Sequence, residues 1–172
     1  MMTIVSIRKA TKNDAKALAD LLAKSQWFTY ELLFSADYIQ KLIEQYYNVQ
    51  RIEQEIVFIS EEWHGYFIAV MNGKLVGAIG GGMNDDIAGE VYVLYLDPNL
   101  LGQGIGTRLL DFFTKIQKHT YGAKEQWVSV AKGNNYGIPF YEARGFIFQH
   151  EELAYGTIEK DQDISLKYKR DI

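Results

Sequence analysis

The chain has 172 residues, 48% of them hydrophobic and 23% charged, and carries a formal net charge of -4. That is enough chain for one domain with a full core and short for two, and the acidic balance argues against nucleic acid as a partner while suiting a cationic substrate somewhat better. The sequence holds no cysteine, which excludes disulfides, a thiol nucleophile and a thiolate metal cage.

Charged Arg8, Lys9 and Lys12 follow the short apolar opening, so it does not read as a secretory signal, and no apolar run approaches membrane-spanning length. The expectation is a cytoplasmic protein with no membrane partner. Thr3 to Arg8 alternates as a first strand. Thr11, with Asp14 three residues on, fits a capping box. It opens a helix running to about Lys24, with Ala15, Leu18, Leu21 and Leu22 on its buried stripe. Gln26 to Tyr30 is an aromatic cluster without a clear period. Ser35 caps a second helix carrying Ile39, Leu42, Ile43 and Tyr46, with a continuation through Val49, Ile52 and Ile56.

From Gly65 the period changes. Tyr66–Met71, Asn72-Gly73 and Lys74–Ile79 form a hairpin signal, because Asn-Gly supplies the positive φ angles of a tight turn. Gly80-Gly81-Gly82 weakens the end of the second strand and marks either a bulge or a close approach. Met83 to Gly89 is a loop. The stretch from Val91 then runs apolar to Leu96, is stopped by Asp97-Pro98-Asn99, passes Gly102-Gln103-Gly104-Ile105-Gly106, and resumes at helical spacing from Thr107 to near Tyr121-Gly122. Gln126–Val130 reads as a strand, Tyr136 to Arg144 as a short helix stopped by Gly145, and Phe146–Phe148 and Ile164–Tyr168 as closing strands. No linker or repeat divides the chain, so it reads as one mixed α/β domain.

The strand, glycine loop and helix around Gly104 are a place to hold a phosphate or pyrophosphate, since loop N–H groups converge at a helix start. A glycine-rich turn with no ligand is the plainer alternative. A nucleotide P-loop needs lysine and a hydroxyl after its last glycine, and Thr107-Arg108 follow instead; the dinucleotide fingerprint needs a third glycine one residue later than Gly106. Both patterns fail. His64, His119 and His150 are scattered without metal-ligand spacing, so no metal is expected.

Two segments together resemble the GNAT superfamily of acetyl-CoA-dependent N-acetyltransferases. The first is the loop, whose family pattern is Arg or Gln, two residues, Gly, one residue, then Gly or Ala. Gly104 and Gly106 match it, Pro98 precedes it as expected, and Leu101 departs from it. The second is Asn134 to Phe146, similar to the family's Asn before a Phe-Tyr pair (here Phe140-Tyr141) closed by Gly-Phe. The resemblance covers about Tyr66 to Phe148. It implies the GNAT fold over residues 1–172: a twisted, mostly antiparallel sheet with a splayed central strand pair and helices on both faces.

The resemblance also implies a site. The backbone of Gly102, Gln103, Gly104, Ile105, Gly106 and Thr107 would bind the pyrophosphate of acetyl-CoA. The strand edge at Leu94, Tyr95 and Leu96 would pair with the pantetheine amides, and Asn134 would contact the pantetheine arm. Direct attack of a primary amine on the thioester is implied, with Tyr141 as proton donor to the departing thiolate, or else a core tyrosine beside Phe140. A primary amine with a pKa of roughly 10.4 must lose a proton before or during attack. Glu90 is the leading candidate base, directly or through water, with Asp85, Asp86 and Glu31 behind it; Ser129, at a rival position, cannot serve as a base. Trp27, Phe28, Tyr30, Tyr38 and Tyr46 would wall an acceptor pocket or simply fill the core of two helices. The acceptor is a small-molecule amine, such as a polyamine, or a protein amine. A non-catalytic acyl-CoA sensor is the alternative, and a homodimer is among the assemblies the sequence allows.

Overall fold

The computed structural model describes residues 4–153 and 163–172. β1 (Val5–Lys9) begins within the expected strand, of which Thr3 lies outside the described residues. The backbone N–H of Thr11 donates to Asp14 Oδ2 at 2.7 Å, as the capping pattern requires. α1 follows as Ala15–Tyr30 and does not stop near Lys24. Nothing between Lys24 and Tyr30 breaks a helix, and Ser25 and Gln26 are buried on its inner face, so the aromatic cluster is the last turn and a half of α1. Ser35 Oγ accepts the Tyr38 N–H at 3.1 Å and opens α2 (Ala36–Tyr46). The expected continuation is a separate helix, α3 (Val49–Val57), because Asn48 supplies a new cap by accepting the Arg51 N–H at 2.9 Å.

β2 (Tyr66–Met71) and β3 (Lys74–Met83) form the hairpin, with Asn72 and Gly73 at φ of 52° and 75°. β3 runs straight through the three glycines instead of ending before them. The reason is a close approach: a Cβ on Gly81 would sit 2.0 Å from the Glu90 carbonyl oxygen. β4 (Ala88–Leu96), α4 (Ile105–His119), β5 (Glu125–Ala131), α5 (Gly137–Glu142), β6 (Ile147–Leu153) and β7 (Ile164–Asp171) complete the order.

The seven strands make one sheet in the order β1-β2-β3-β4-β5-β7-β6. All neighbours are antiparallel except β4 and β5. One face packs on α4 through Leu109, Leu110 and Phe113; the other packs on α1 and α3 through Leu18, Leu22, Ile52 and Ile56. The apolar stripes of these helices thus bury both faces, each fully buried Leu or Phe contributing ~1.5–3 kcal/mol.

Two irregularities of β4 place the site. Its parallel ladder with β5 ends at Val91 opposite Val128. On the other edge, Gly80 pairs with Val93 and Gly81 with Val91, so Tyr92 is an extra residue in a β-bulge. The bulge switches the faces: Val91, Leu94 and Leu96 pack toward α4, whereas Val93 and Tyr95 pack toward α1. Gln117 of α4 fastens the bulge region. Its side-chain amide donates to the carbonyls of Gly82 and Glu90, both at 3.2 Å, and it is fully buried.

Candidate active site

Beyond Val91 the strands β4 and β5 diverge, and a cleft of about 350 Å³ fills the gap. It runs from Gly102, Gly104, Gly106 and Thr107 at one end, past Leu94, Tyr95 and Leu96, to Ser129, Asn134 and Tyr141. Gln103 and Ile105 belong to the same loop, with the Ile105 side chain turned into the core. Hydrogen-bonding direction alternates along a strand. The Asp97 N–H donates to Val76 at 2.8 Å on the β3 side, so the main-chain groups of Leu94 and Leu96 face the gap, while those of Tyr95 face β3. Ser25 Oγ already occupies the Leu96 carbonyl at 3.0 Å.

The loop is built for an anion. Gly104, at φ 82°, caps α4 in the left-handed region that glycine adopts without strain. The first helical bond runs from Arg108 N–H to Gly104 O at 3.1 Å. The N–H groups of Ile105, Gly106 and Thr107 therefore have no helical acceptor, and they end a positive helix terminus. A cation stands beside them. Arg144 lines the cleft, donates from Nε to Thr107 Oγ1 at 3.2 Å and again through Nη2, and lies 3.7 Å over the Phe140 ring. Its Nη1 is fixed on the Phe140 carbonyl at 2.7 Å. Sequence reasoning missed Arg144, although it lies inside the Asn134–Phe146 segment.

Asn134 Oδ1 accepts the N–H groups of Tyr136 and Gly137 at 3.1 and 2.9 Å and so organises the start of α5. Tyr141, 8% exposed, packs its ring on Phe140 and Phe146. It is at once a core residue and a cleft residue. Burial, with Tyr95 adding to it and Arg144 opposing it, raises its phenol above the ordinary value, so it stays protonated at neutral pH.

Glu90 is placed differently from a carboxylate open to the cleft. It is 6% exposed and lines neither the cleft nor the cavity beside it. Lys167 Nζ of β7 lies 3.1 Å from Glu90 Oε2 and 2.7 Å from Ser129 Oγ; Asn84 Nδ2 donates to Glu90 Oε1 at 2.8 Å. Ser129 does face the cleft, with its Oγ 3.5 Å from Glu90 Oε2. Asp85 folds its own loop by accepting the N–H groups of Ile87 and Ala88 at 2.8 and 2.7 Å. Asp86 and Glu31 are exposed, and neither lines a cavity. Among the described residues no helix is long and apolar enough to cross a membrane, and no three His, Asp or Glu side chains group as metal ligands.

A second cavity, about 470 Å³, opens beside the first on the α1, α2 and α3 side of the sheet. Tyr30, Tyr92, Tyr95 and Ser129 line both, and the Tyr30 and Tyr95 hydroxyls are 2.8 Å apart at the junction. Of the aromatics expected at an acceptor pocket, Phe28 and Tyr30 reach the first cavity, Tyr30 and Tyr46 the second, and Trp27 and Tyr38 line neither. Two openings meet where the strands part. One suits a long chain ending in an anion, and the other holds the buried carboxyl of Glu55 among aromatic rings.

Comparison with known proteins agrees with this geometry. The model of the acetyltransferase (GNAT) family matches residues 27–146. A spermidine N(1)-acetyltransferase of Thermoplasma acidophilum is 30% identical over 91% of this chain and 96% of its own length. An uncharacterised N-acetyltransferase of Methanocaldococcus jannaschii is 28% identical over 89% of this chain and 64% of its own. Among solved structures, the PaiA N-acetyltransferase of Thermoplasma acidophilum in complex with coenzyme A superposes with a TM-score of 0.81, at 27% identity over 97% of this chain and 99% of that one.

Proposed function

The chain belongs to the acetyltransferase (GNAT) family, and from that premise we propose that it moves an acetyl group from acetyl-CoA to a primary amine of a small polycation, with both substrates bound together. The observation that carries this reading is the meeting of the two cavities at Tyr30, Tyr92, Tyr95 and Ser129, where β4 leaves β5. The relative named as a spermidine acetyltransferase supports a polyamine as the acceptor. The acidic balance of the chain favours a cation over nucleic acid. A single domain in the cytoplasm is the corresponding expectation.

In this reading the free N–H groups from Gly102 to Thr107 and the guanidinium of Arg144 hold the pyrophosphate. The gap-facing main chain at Leu94 and Leu96, with Tyr95 beside it, holds the pantetheine arm as an added strand, and Asn134 supports its far side. The amine enters from the second cavity. Its nitrogen bonds to the acetyl carbon, the carbon–sulphur bond breaks, and the sulphur takes the proton of the Tyr141 hydroxyl. The surplus amine proton passes through Ser129 Oγ to Glu90 Oε2, so Glu90 acts from behind the cleft wall rather than within it. Lys167 fixes that carboxylate in place. Holding two reactants in one wedge alone lowers a barrier by roughly 7–11 kcal/mol in well-oriented cases.

Thiol release from acetyl-CoA, measured against polyamines, amino acids, aminoglycosides and peptides, tests the proposal. Polyamines should give the highest kcat/KM. Tight acetyl-CoA binding with no release across the whole panel would make the protein an acyl-CoA sensor instead.

A further inference from the structure

The second cavity has a direction. It starts at the junction with the cleft and ends at Glu55 of α3, which lines it together with Trp63 and Tyr66. Tyr66 on β2 pairs with Gly80, and Gly80 pairs with Val93 on β4. The Glu55 end therefore lies two strand spacings, about 10 Å, across the sheet from β4. A carboxylate that far from the reacting nitrogen cannot take its proton. It can hold a second charge on the same molecule.

The surroundings of Glu55 suit that task. Its side chain is 24% exposed, and Oε1 accepts from Arg51 Nε at 2.9 Å. Arg51 is turned outward, 45% exposed and 4.9 Å over the Tyr46 ring. Oε2 receives only a long bond from the Tyr66 hydroxyl, at 3.4 Å. Burial raises the Glu55 carboxyl above its ordinary value, against the opposing pull of Arg51, so the charge is incompletely compensated. The neighbouring rings of Trp63 and Tyr47 add faces that attract a cation. A separate sign of a missing ligand is Gln26. It is 2% exposed, lines the same cavity, and its Nε2 makes no hydrogen bond; a half-turn of the amide would present its oxygen to an N–H donor.

We propose that Glu55 anchors the second, non-reacting ammonium of a linear di- or polyamine while the first nitrogen lies at the Ser129 junction, making it the residue that selects extended polyamines over monoamines. This rests on the proposed transfer reaction for the identity of the reacting end. Asp163, which also lines the cavity and accepts the Tyr38 hydroxyl at 2.8 Å, adds negative charge along the path.

The test compares spermidine, putrescine and butylamine as acceptors for the wild type, Glu55→Gln and Glu55→Asp, alongside calorimetric titration of spermidine into the coenzyme A-loaded protein. Gln keeps the shape and both hydrogen-bonding positions while removing the charge; Asp keeps the charge. The expected result is a rise of about tenfold or more in KM for spermidine in Glu55→Gln, kcat and the KM for butylamine unchanged, and partial recovery in Glu55→Asp. An equal change for butylamine, or no change for spermidine, overturns the anchor. If the wild type releases no thiol with any amine yet loses spermidine binding on Glu55→Gln, the transfer reaction fails and the anchor stands.

Discussion

Arg144 and Thr107 are joined by two hydrogen bonds, one of 3.2 Å, that tie α5 to the third residue of α4. The pair brings a permanent positive charge to a glycine loop whose own sequence carries Leu101 where the family places Arg or Gln. Arg144→Ala is expected to weaken coenzyme A binding about tenfold, since a charge-assisted phosphate contact contributes ~1.5 kcal/mol. Gly104→Val should weaken it further. The left-handed φ of 82° strains a β-branched residue, and the added methyls enter the space the phosphates need. Calorimetric titration of coenzyme A reads both, and unchanged affinity in Gly104→Val would remove the loop assignment.

Tyr141 sits in the core with its hydroxyl end at the cleft. Tyr141→Phe keeps the packing and removes only the proton. We expect kcat to fall ~10²-fold, a usual size for one proton-transfer group, with coenzyme A affinity and melting temperature nearly unchanged. Normal turnover in the variant would end the donor role.

His64 stacks on Tyr121 at 3.7 Å, is 2% exposed, and burial lowers its pKa to about 4. Unfolding restores the ordinary value, so the unfolded chain binds the proton first as pH falls. Stability from this group is complete above the ordinary value near 6.5 and is lost as the pH falls toward 4. The loss should amount to about 2–3 kcal/mol. Denaturant unfolding of the wild type and His64→Phe across that range should give converging stabilities for the variant relative to the wild type at acid pH. Parallel curves would show that His64 does not carry the effect.

Gln117 bonds Gly82, Glu90 and Gln126, the last accepted at 3.0 Å. Gln117→Ala leaves two buried carbonyls and a buried amide without partners, a cost of about 2–4 kcal/mol. For a chain of this size that lowers the melting temperature by roughly 5–10 °C, which calorimetry would detect. A shift under ~2 °C would mean that water replaces the amide.

What the sequence disclosed was mostly local. The Asn72-Gly73 turn, the strand-loop-helix around Gly104 and the short helix at Tyr141 each follow from neighbours within a dozen residues, where turn chemistry and periodicity decide. The arrangement of Glu90 was hidden because its partner, Lys167, stands 77 residues away on β7. Only strand order brings the two together. Glu55 and Gln26 were missed for the same reason: on their helices they look like ordinary polar positions, and only the packing of α1 and α3 over the sheet turns them toward one cavity. The end of α1 was misjudged because aromatic residues blur the helical stripe without breaking the helix.

The extra residue at Tyr92 has an evolutionary implication. A deletion there would restore an even pleat, and everything downstream on β4 would invert. Leu94 and Leu96 would be driven beneath α1, and the Tyr95 phenol would leave the cavity junction for the packing beneath α4. Point substitution can therefore explore acceptor preference along this strand, whereas insertion or deletion cannot, since any change of one residue exchanges the chemical surface of the reaction centre for the interior of the protein.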